Sequence, residues 1–314
     1  MGGALADPRV LDFEVAALIK FRDQPGGSAA VGNAHGSGFD RVRAFSEGYQ
    51  QGAEFCAGYS TNFPALTEVP FRSAQEAQTN GNLPYAEIMT AAVANLNVYY
   101  TLLSSTFPGP LRVLPLTGNA AQTCNKVSVT RKTVFLQYCS VEKVVVYDEQ
   151  SFQQLYSSIG DAAPASLLGL AWAEAARQGA GEPADTGGSG LYQQSCLTGS
   201  WLLALSQADN DPNAKLSLSP GDLDKAIGAF VQVGSDPAKP GNVFKAVAAL
   251  RNGFVGGAAK CKLGTFTNDL RTVSKFFRLV LISPTNRAKF TFSGKPNLER
   301  SLDIGVNSSR STPL

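Results

Sequence analysis

The chain has 314 residues, 44% hydrophobic and 17% charged, enough for a genuine core in one large domain or two modest ones. Its 27 basic and 25 acidic side chains leave a formal charge of +2, scattered along the chain, which excludes the basic footprint of a nucleic-acid binder. The longest apolar runs, such as residues 276–282, are too short for a transmembrane segment, and residues 1–7 have neither the basic nor the apolar region of a signal peptide.

Taken in chain order, the first expected helix runs over residues 11–22. Phe39, Val42, Phe45 and Tyr49 then recur at helical spacing, and His35-Gly36-Ser37-Gly38 reads as the turn that caps that second helix. Residues 61–84, rich in Thr, Asn, Pro and Gln, read as a linker. Ile88, Ala92, Leu96, Tyr99 and Leu103 mark an amphipathic helix over 85–105. The β-branched runs 127–138 and 143–147 read as strands, and helices follow over 151–159, 164–178 and 191–207. Ser219-Pro220-Gly221-Asp222 supplies the start signals of a helix: a hydroxyl cap, a proline in the first turn and an early carboxylate. Beyond Cys261 come a helix or strand over 273–282, a short strand over 289–292 and a polar tail from Asn307. The pattern is α+β and mainly helical, with a small β hairpin or sheet.

Two parts of the chain resemble each other. Residues 11–18 align with 223–230, and residues 39–56 with 244–261; both stretches share paired glycines (Gly48 and Gly52, Gly253 and Gly257) and end on a cysteine. Four-residue glycine spacing gives a helix face that a neighbour approaches closely. The second copy is the complete one, so the chain reads as the back of a longer two-copy sequence whose lost front carried an export signal or anchor.

Five cysteines (Cys56, Cys124, Cys139, Cys196, Cys261) and one histidine, His35, exclude a finger-type zinc site. Two disulfides and one orphan would place the protein in an oxidising compartment; five buried thiols is the alternative.

Val144-Val145-Val146-Tyr147-Asp148, then Phe152, Leu155, Gly160 and Ala165-Ser166-Leu167-Leu168, together with Cys196-x-x-Gly199-x-Trp201 and Leu218 to Asp224, resemble the neutral zinc metallopeptidase family over roughly residues 85–262. The resemblance implies a zincin-like domain with a His-Glu-x-x-His helix, a third ligand on the next helix and a supporting Asp. Two imidazoles four residues apart on one helix face would hold zinc, and the intervening Glu would act as general base on zinc-bound water. Here those positions hold Leu170 and Glu174 for the two histidines, Ala171 for the base, Leu191 for the third ligand and Ser195 for the supporting Asp. Leucine and alanine donate no lone pair, and one carboxylate does not hold zinc, so no metal, no cofactor and no catalysis are expected. The same frame pairs Cys196 with Cys261 on two motifs that meet in the family's helical half. It also pairs Cys124 with Cys139 across a hairpin and leaves Cys56, the counterpart of Cys261, either orphaned or simply buried.

Two relocated sites are conceivable from the residues. Glu174 with Glu182 and Asp185 would make an oxygen-only cluster suited to calcium or magnesium, although neighbouring loop carboxylates are usually only solvated. Ser195 or Ser200 as a nucleophile lacks a partner histidine in the same segment. The chain thus divides into a helical partial copy (1–60), a linker (61–84), a degenerate metallopeptidase-like domain (85–262) and a C-terminal extension (263–314). The expected function is that of a non-catalytic extracytoplasmic protein, secreted or of the cell envelope, binding a protein or peptide partner through the inherited cleft. The alternatives are an active peptidase, through an unrecognised metal site or an intact first copy in a longer parent chain, and a purely structural envelope domain. Exposed aromatics such as Tyr192 and Trp201 would mark the binder.

Overall fold

The computed structural model describes residues 7–27, 35–62, 66–67, 70–185, 190–208, 216–234 and 242–262. The expected elements at 273–282 and 289–292, the polar tail and the whole extension 263–314 lie outside the described residues. Within them the fold is α+β and mainly helical, with two small sheets.

Helix α1 (Pro8–Lys20) starts where the Asp7 carboxylate accepts the Arg9 N–H, and turns Leu11, Val15 and Ile19, four apart, into the core. Helix α2 (Gly38–Gln51) is capped by Ser37, whose hydroxyl accepts the Asp40 N–H at 3.1 Å. Its buried Phe39 and Val42 enter the same apolar cluster as the helices after residue 85. The first 60 residues therefore share one core with 85–262, and the sequence boundary between them is not a boundary between cores.

The stretch read as a linker is also tied down. Two short helices follow α2: α3 (Ala53–Ala57) and α4 (Ala74–Gln78), the second lying within that stretch. Glu76 of α4 accepts the Ser219 hydroxyl at 2.7 Å, and Arg72 donates to the Ser217 hydroxyl at 2.9 Å. Composition showed few aliphatics there and could not show these polar ties. They also redirect Ser219, whose hydroxyl goes to Glu76 rather than capping the helix that follows it; there Asp222 accepts the Ser219 N–H instead.

Helix α5 (Tyr85–Leu103) buries all five residues of its expected apolar stripe. After α5 come strands β1 (Arg112–Leu116), β2 (Gln122–Cys124), β3 (Val127–Val129), β4 (Leu136–Cys139) and β5 (Val144–Asp148). The main sheet has the order β1-β5-β4, with β5 parallel to β1 and antiparallel to β4, while β2 and β3 form a separate hairpin. The single strand expected over 127–138 is thus two strands in different sheets. Thr130 and Thr133 break it by closing a turn, the Thr133 N–H and hydroxyl both donating to the Thr130 carbonyl at 3.0 Å. The Cys124–Cys139 disulfide joins the hairpin to the edge strand β4 over a small apolar cluster that includes Leu116, Val144 and Val146.

Helix α6 (Glu149–Ser158) starts on the Asp148 cap. It leads into α7 (Ala162–Gly179), which is buried almost throughout, with Trp172 as its large anchor. Helix α8 (Leu191–Gln207) lies against α7 on one side and α10 (Asn242–Gly256) on the other. At the α8–α10 crossing, a Cβ on Gly199 would sit 1.8 Å from the Leu250 carbonyl oxygen, and one on Gly253 1.8 Å from that of Cys196. Only glycine fits at either point, and the Cys196–Cys261 disulfide pins the crossing a turn away.

Helix α9 (Asp222–Gly234) completes a reciprocal arrangement with α1, α2 and α10. Asp224 accepts the N–H groups of Gly38 and Phe39 at the start of α2, at 3.0 and 2.7 Å. Asp12, which aligns with Asp224, accepts the N–H of Phe244, which aligns with Phe39, at 2.8 Å. The aromatic pairs match in the same way: Phe39 meets Phe254 edge-on at 5.1 Å, and Phe244 meets Tyr49 at 5.4 Å.

Candidate functional site

The α7 positions singled out from the sequence line a cleft of about 500 Å³ between that helix and strand β4. Leu170, Ala171 and Glu174 form one wall and Leu136, Gln137 and Tyr138 the other, with Gln194 and Asp185 at one end. Leu191 and Ser195 do not line the cleft. Leu191 packs half-buried against the core, and Ser195 is buried with its hydroxyl donating to the Leu191 carbonyl at 2.6 Å.

Glu174 is fully engaged. Its Oε1 accepts from Gln178 Nε2 and the Asp185 N–H at 2.8 and 2.9 Å, and its Oε2 from Arg177 Nη1 and Gln194 Nε2 at 2.5 and 2.8 Å. A carboxylate has about four acceptor sites, so none is left to face the cleft. Burial, and then the Glu174 charge, hold the Tyr138 phenol across the cleft above its ordinary pKa. The proposed oxygen cluster does not assemble: Asp185 offers Glu174 its backbone N–H, and among the described residues no three His, Cys, Asp or Glu side chains stand where they could hold a metal ion. Neither serine is poised as a nucleophile. Ser200 is buried between Tyr99, which donates to it at 2.7 Å, and the Leu197 carbonyl. His35 is 69% exposed at the α1–α2 turn, its backbone N–H on Asp23.

The two aromatics whose exposure would mark a binder are not exposed. Trp201 is 1% exposed and its indole N–H donates to Asn95 at 2.7 Å; Tyr192 is half-buried and donates to Asn242.

No family model matches the chain, and no curated protein or solved structure proves similar to it. What the cleft can do must therefore be read from its own geometry.

Among the described residues, strand β4 pairs with β5 alone. The Asp148 N–H donates to the Phe135 carbonyl at 2.8 Å, and antiparallel hydrogen-bonded pairs alternate, so Gln137–Val146 and Cys139–Val144 are the next bonded pairs. The N–H and C=O groups of Leu136 and Tyr138 consequently point away from β5, along the cleft. This row of backbone groups, without a partner among the described residues, was not visible in the sequence, because β4 lay hidden inside a longer apparent strand.

A second cavity, of about 580 Å³, lies between α4, the start of α7 and α8, with Trp201, Leu202 and Leu205 on its floor and Arg72, Asp161 and Asp222 at its polar side. Lys225 Nζ is buried between Asp161 and Asp222, at 3.1 and 2.7 Å. Burial pushes the Asp222 carboxyl up to about 7; the Lys225 charge opposes this and the Asp161 charge adds to it. A carboxyl whose folded pKa is raised holds its proton more tightly when folded, so its contribution to stability falls as pH rises from about 4 to about 7. Asp222→Asn is expected to flatten that part of the profile, read as the difference in unfolding free energy between variant and parent across pH 4–8. An unchanged slope would show that another group carries it. The i, i+3 placement of Asp222 and Lys225 on one helix was the available sequence signal; the Asp161 partner, 64 residues away, was not.

Proposed function

We propose that the protein is a non-catalytic binding protein of an extracytoplasmic compartment, a degenerate relative of the neutral zinc metallopeptidases, that holds an extended peptide in the cleft between β4 and α7. The observation that carries this is the open edge of β4 beside a cleft wall of Leu170, Ala171 and a Glu174 with no free acceptor. An added strand would take its main-chain hydrogen bonds from Leu136 and Tyr138, and alternate side chains would enter the apolar cleft. The two disulfides support an oxidising compartment.

The test is panning of the disulfide-intact protein against a displayed library of random decapeptides, followed by titration of the enriched peptides. Micromolar binders are expected to weaken at least tenfold on Leu136→Pro, which removes an outward N–H and leaves the ladder to β5 intact. No binder better than about 1 mM, or binders indifferent both to Leu136→Pro and to Leu170→Asp, would refute the cleft reading and favour a purely structural domain. Elemental analysis after exposure to zinc separates the peptidase alternative: less than about a tenth of an equivalent is expected, and a full, chelatable equivalent would overturn the non-catalytic reading.

A further inference from the structure

The cavity between α4, α7 and α8 plays no part in the cleft reading, and two of its wall groups lack partners. Its floor is apolar: Ile88, Ala165, Trp201, Leu202 and Leu205 line it, each 3% exposed or less. Four carboxyl groups stand around it, Glu76, Glu87, Asp161 and Asp222, against the cations Arg72 and Lys225. Three of the four are engaged within the fold. Glu76 accepts from Arg72 and Ser219, Asp161 from Leu83, Ala162 and Lys225, and Asp222 from Ser219 and Lys225. Glu87, exposed in the first turn of α5, has no partner among the described residues.

The second group lies deeper. Ser166 is fully buried on the face of α7 that lines the cavity, beside Ala162 and Ala165, and its hydroxyl has no hydrogen-bond partner among the described residues. Hydroxyls on other helices of this chain turn back to the carbonyl four residues earlier, as those of Ser157, Ser158 and Ser195 do. A buried hydroxyl without a partner bears the full penalty of its desolvation. A helix start favours a carboxylate such as Glu87, but it gives no reason for Ser166. A volume of about 580 Å³ over an apolar floor, with a few polar groups, has the make-up of a small-molecule site. Residues 209–215, which join α8 to Leu216 on its wall, contain neither an aromatic nor a branched aliphatic residue that such a floor would hold.

We propose that this cavity binds a small amphipathic amine. Its ammonium group pairs with Glu87, its apolar body covers the floor around Trp201, and a polar atom between the two gives the Ser166 hydroxyl its partner. The surplus of carboxyl groups sets the sign of the charge, and the poorly solvated floor strengthens that preference. Arg72, the cation on the wall, is occupied by Glu76, Ser217 and Leu218, which leaves an anion no counter-charge. The inference is independent of the cleft reading.

The probe is dansylcadaverine, an aromatic sulfonamide on an alkyl amine, titrated into the full disulfide-intact chain and followed by dansyl fluorescence. Its control is dansyl-aminocaproic acid, with the same ring and a carboxylate in place of the amine. The amine is expected to bind in the micromolar range and at least tenfold more tightly than the acid. Glu87→Gln should remove most of that preference. Ser166→Ala should weaken the amine at least threefold while raising the melting temperature, whereas truncating a hydroxyl that served only the fold would lower it. Amine binding no better than about 1 mM would overturn the proposal, as when part of the chain itself fills the cavity. So would equal affinity for amine and acid, or amine binding that ignores both substitutions and is lost on Leu170→Asp, which would put the probe in the other cleft.

Discussion

Glu174→Ala is expected to lower the free energy of unfolding by about 3–5 kcal/mol and to leave zinc content unchanged. The substitution strands the Arg177 guanidinium, which is 4% exposed, and takes the acceptor from two side-chain amides and the Asp185 N–H at once. Removing one member of a buried pair costs far more than the pair is worth, because the remaining charge is desolvated and uncompensated. For a chain of this size the melting temperature would fall by roughly 10 °C. Glu174→Gln keeps an acceptor but no charge and is expected to fall between variant and parent. Thermal unfolding with parallel metal analysis checks both halves. A small loss of stability accompanied by a loss of bound metal would mean that Glu174 is a ligand after all.

Cys261→Ser should cost about as much. The Cys196–Cys261 bond closes a 65-residue separation, for which the chain-entropy model gives about 4 kcal/mol. The Cys124–Cys139 bond closes only 15 residues, worth about 3 kcal/mol on the same basis. The larger loss has a structural consequence too, since the bond holds α8 and α10 at their glycine crossing. Denaturant titration of Cys261→Ser and Cys139→Ser should rank them in that order. The reverse order would place the disulfides' main effect in local geometry and not in the unfolded chain.

The helices were largely legible because their apolar residues repeat at a spacing that survives any tertiary context: Ile88 to Leu103 and Leu11 to Ile19 are stripes first and core second. Strand β4 was not, since its residues continue a β-branched run and only the Thr130–Thr133 turn divides it. Trp201 misled for a different reason. Its side chain suits a groove as well as a core, and what decides between them is Asn95, 106 residues earlier in the chain. The stretch 61–84 misled because polar anchoring leaves no hydrophobic trace. For the candidate site, the α7 wall was read through the family resemblance, and the facing strand with its open edge had no signal of its own.

The reciprocal bonds of Asp12 and Asp224 have the form of an isologous contact, in which one residue's relation to another is returned by its equivalent, here made within a single chain. In a symmetric dimer such a contact ties the existence of each protomer to the other. Within one polypeptide it ties the two helix pairs: α10 begins on a carboxylate donated by α1, and α2 on one donated by α9. Helix α2 keeps Ser37 as its own cap on the Asp40 N–H, while its first two N–H groups go to Asp224 of α9. A fragment carrying only residues 85–262 would expose the Phe244 N–H and bare the partner faces of α9 and α10, so the outlying first 60 residues behave as the second half of a dimer that cannot dissociate.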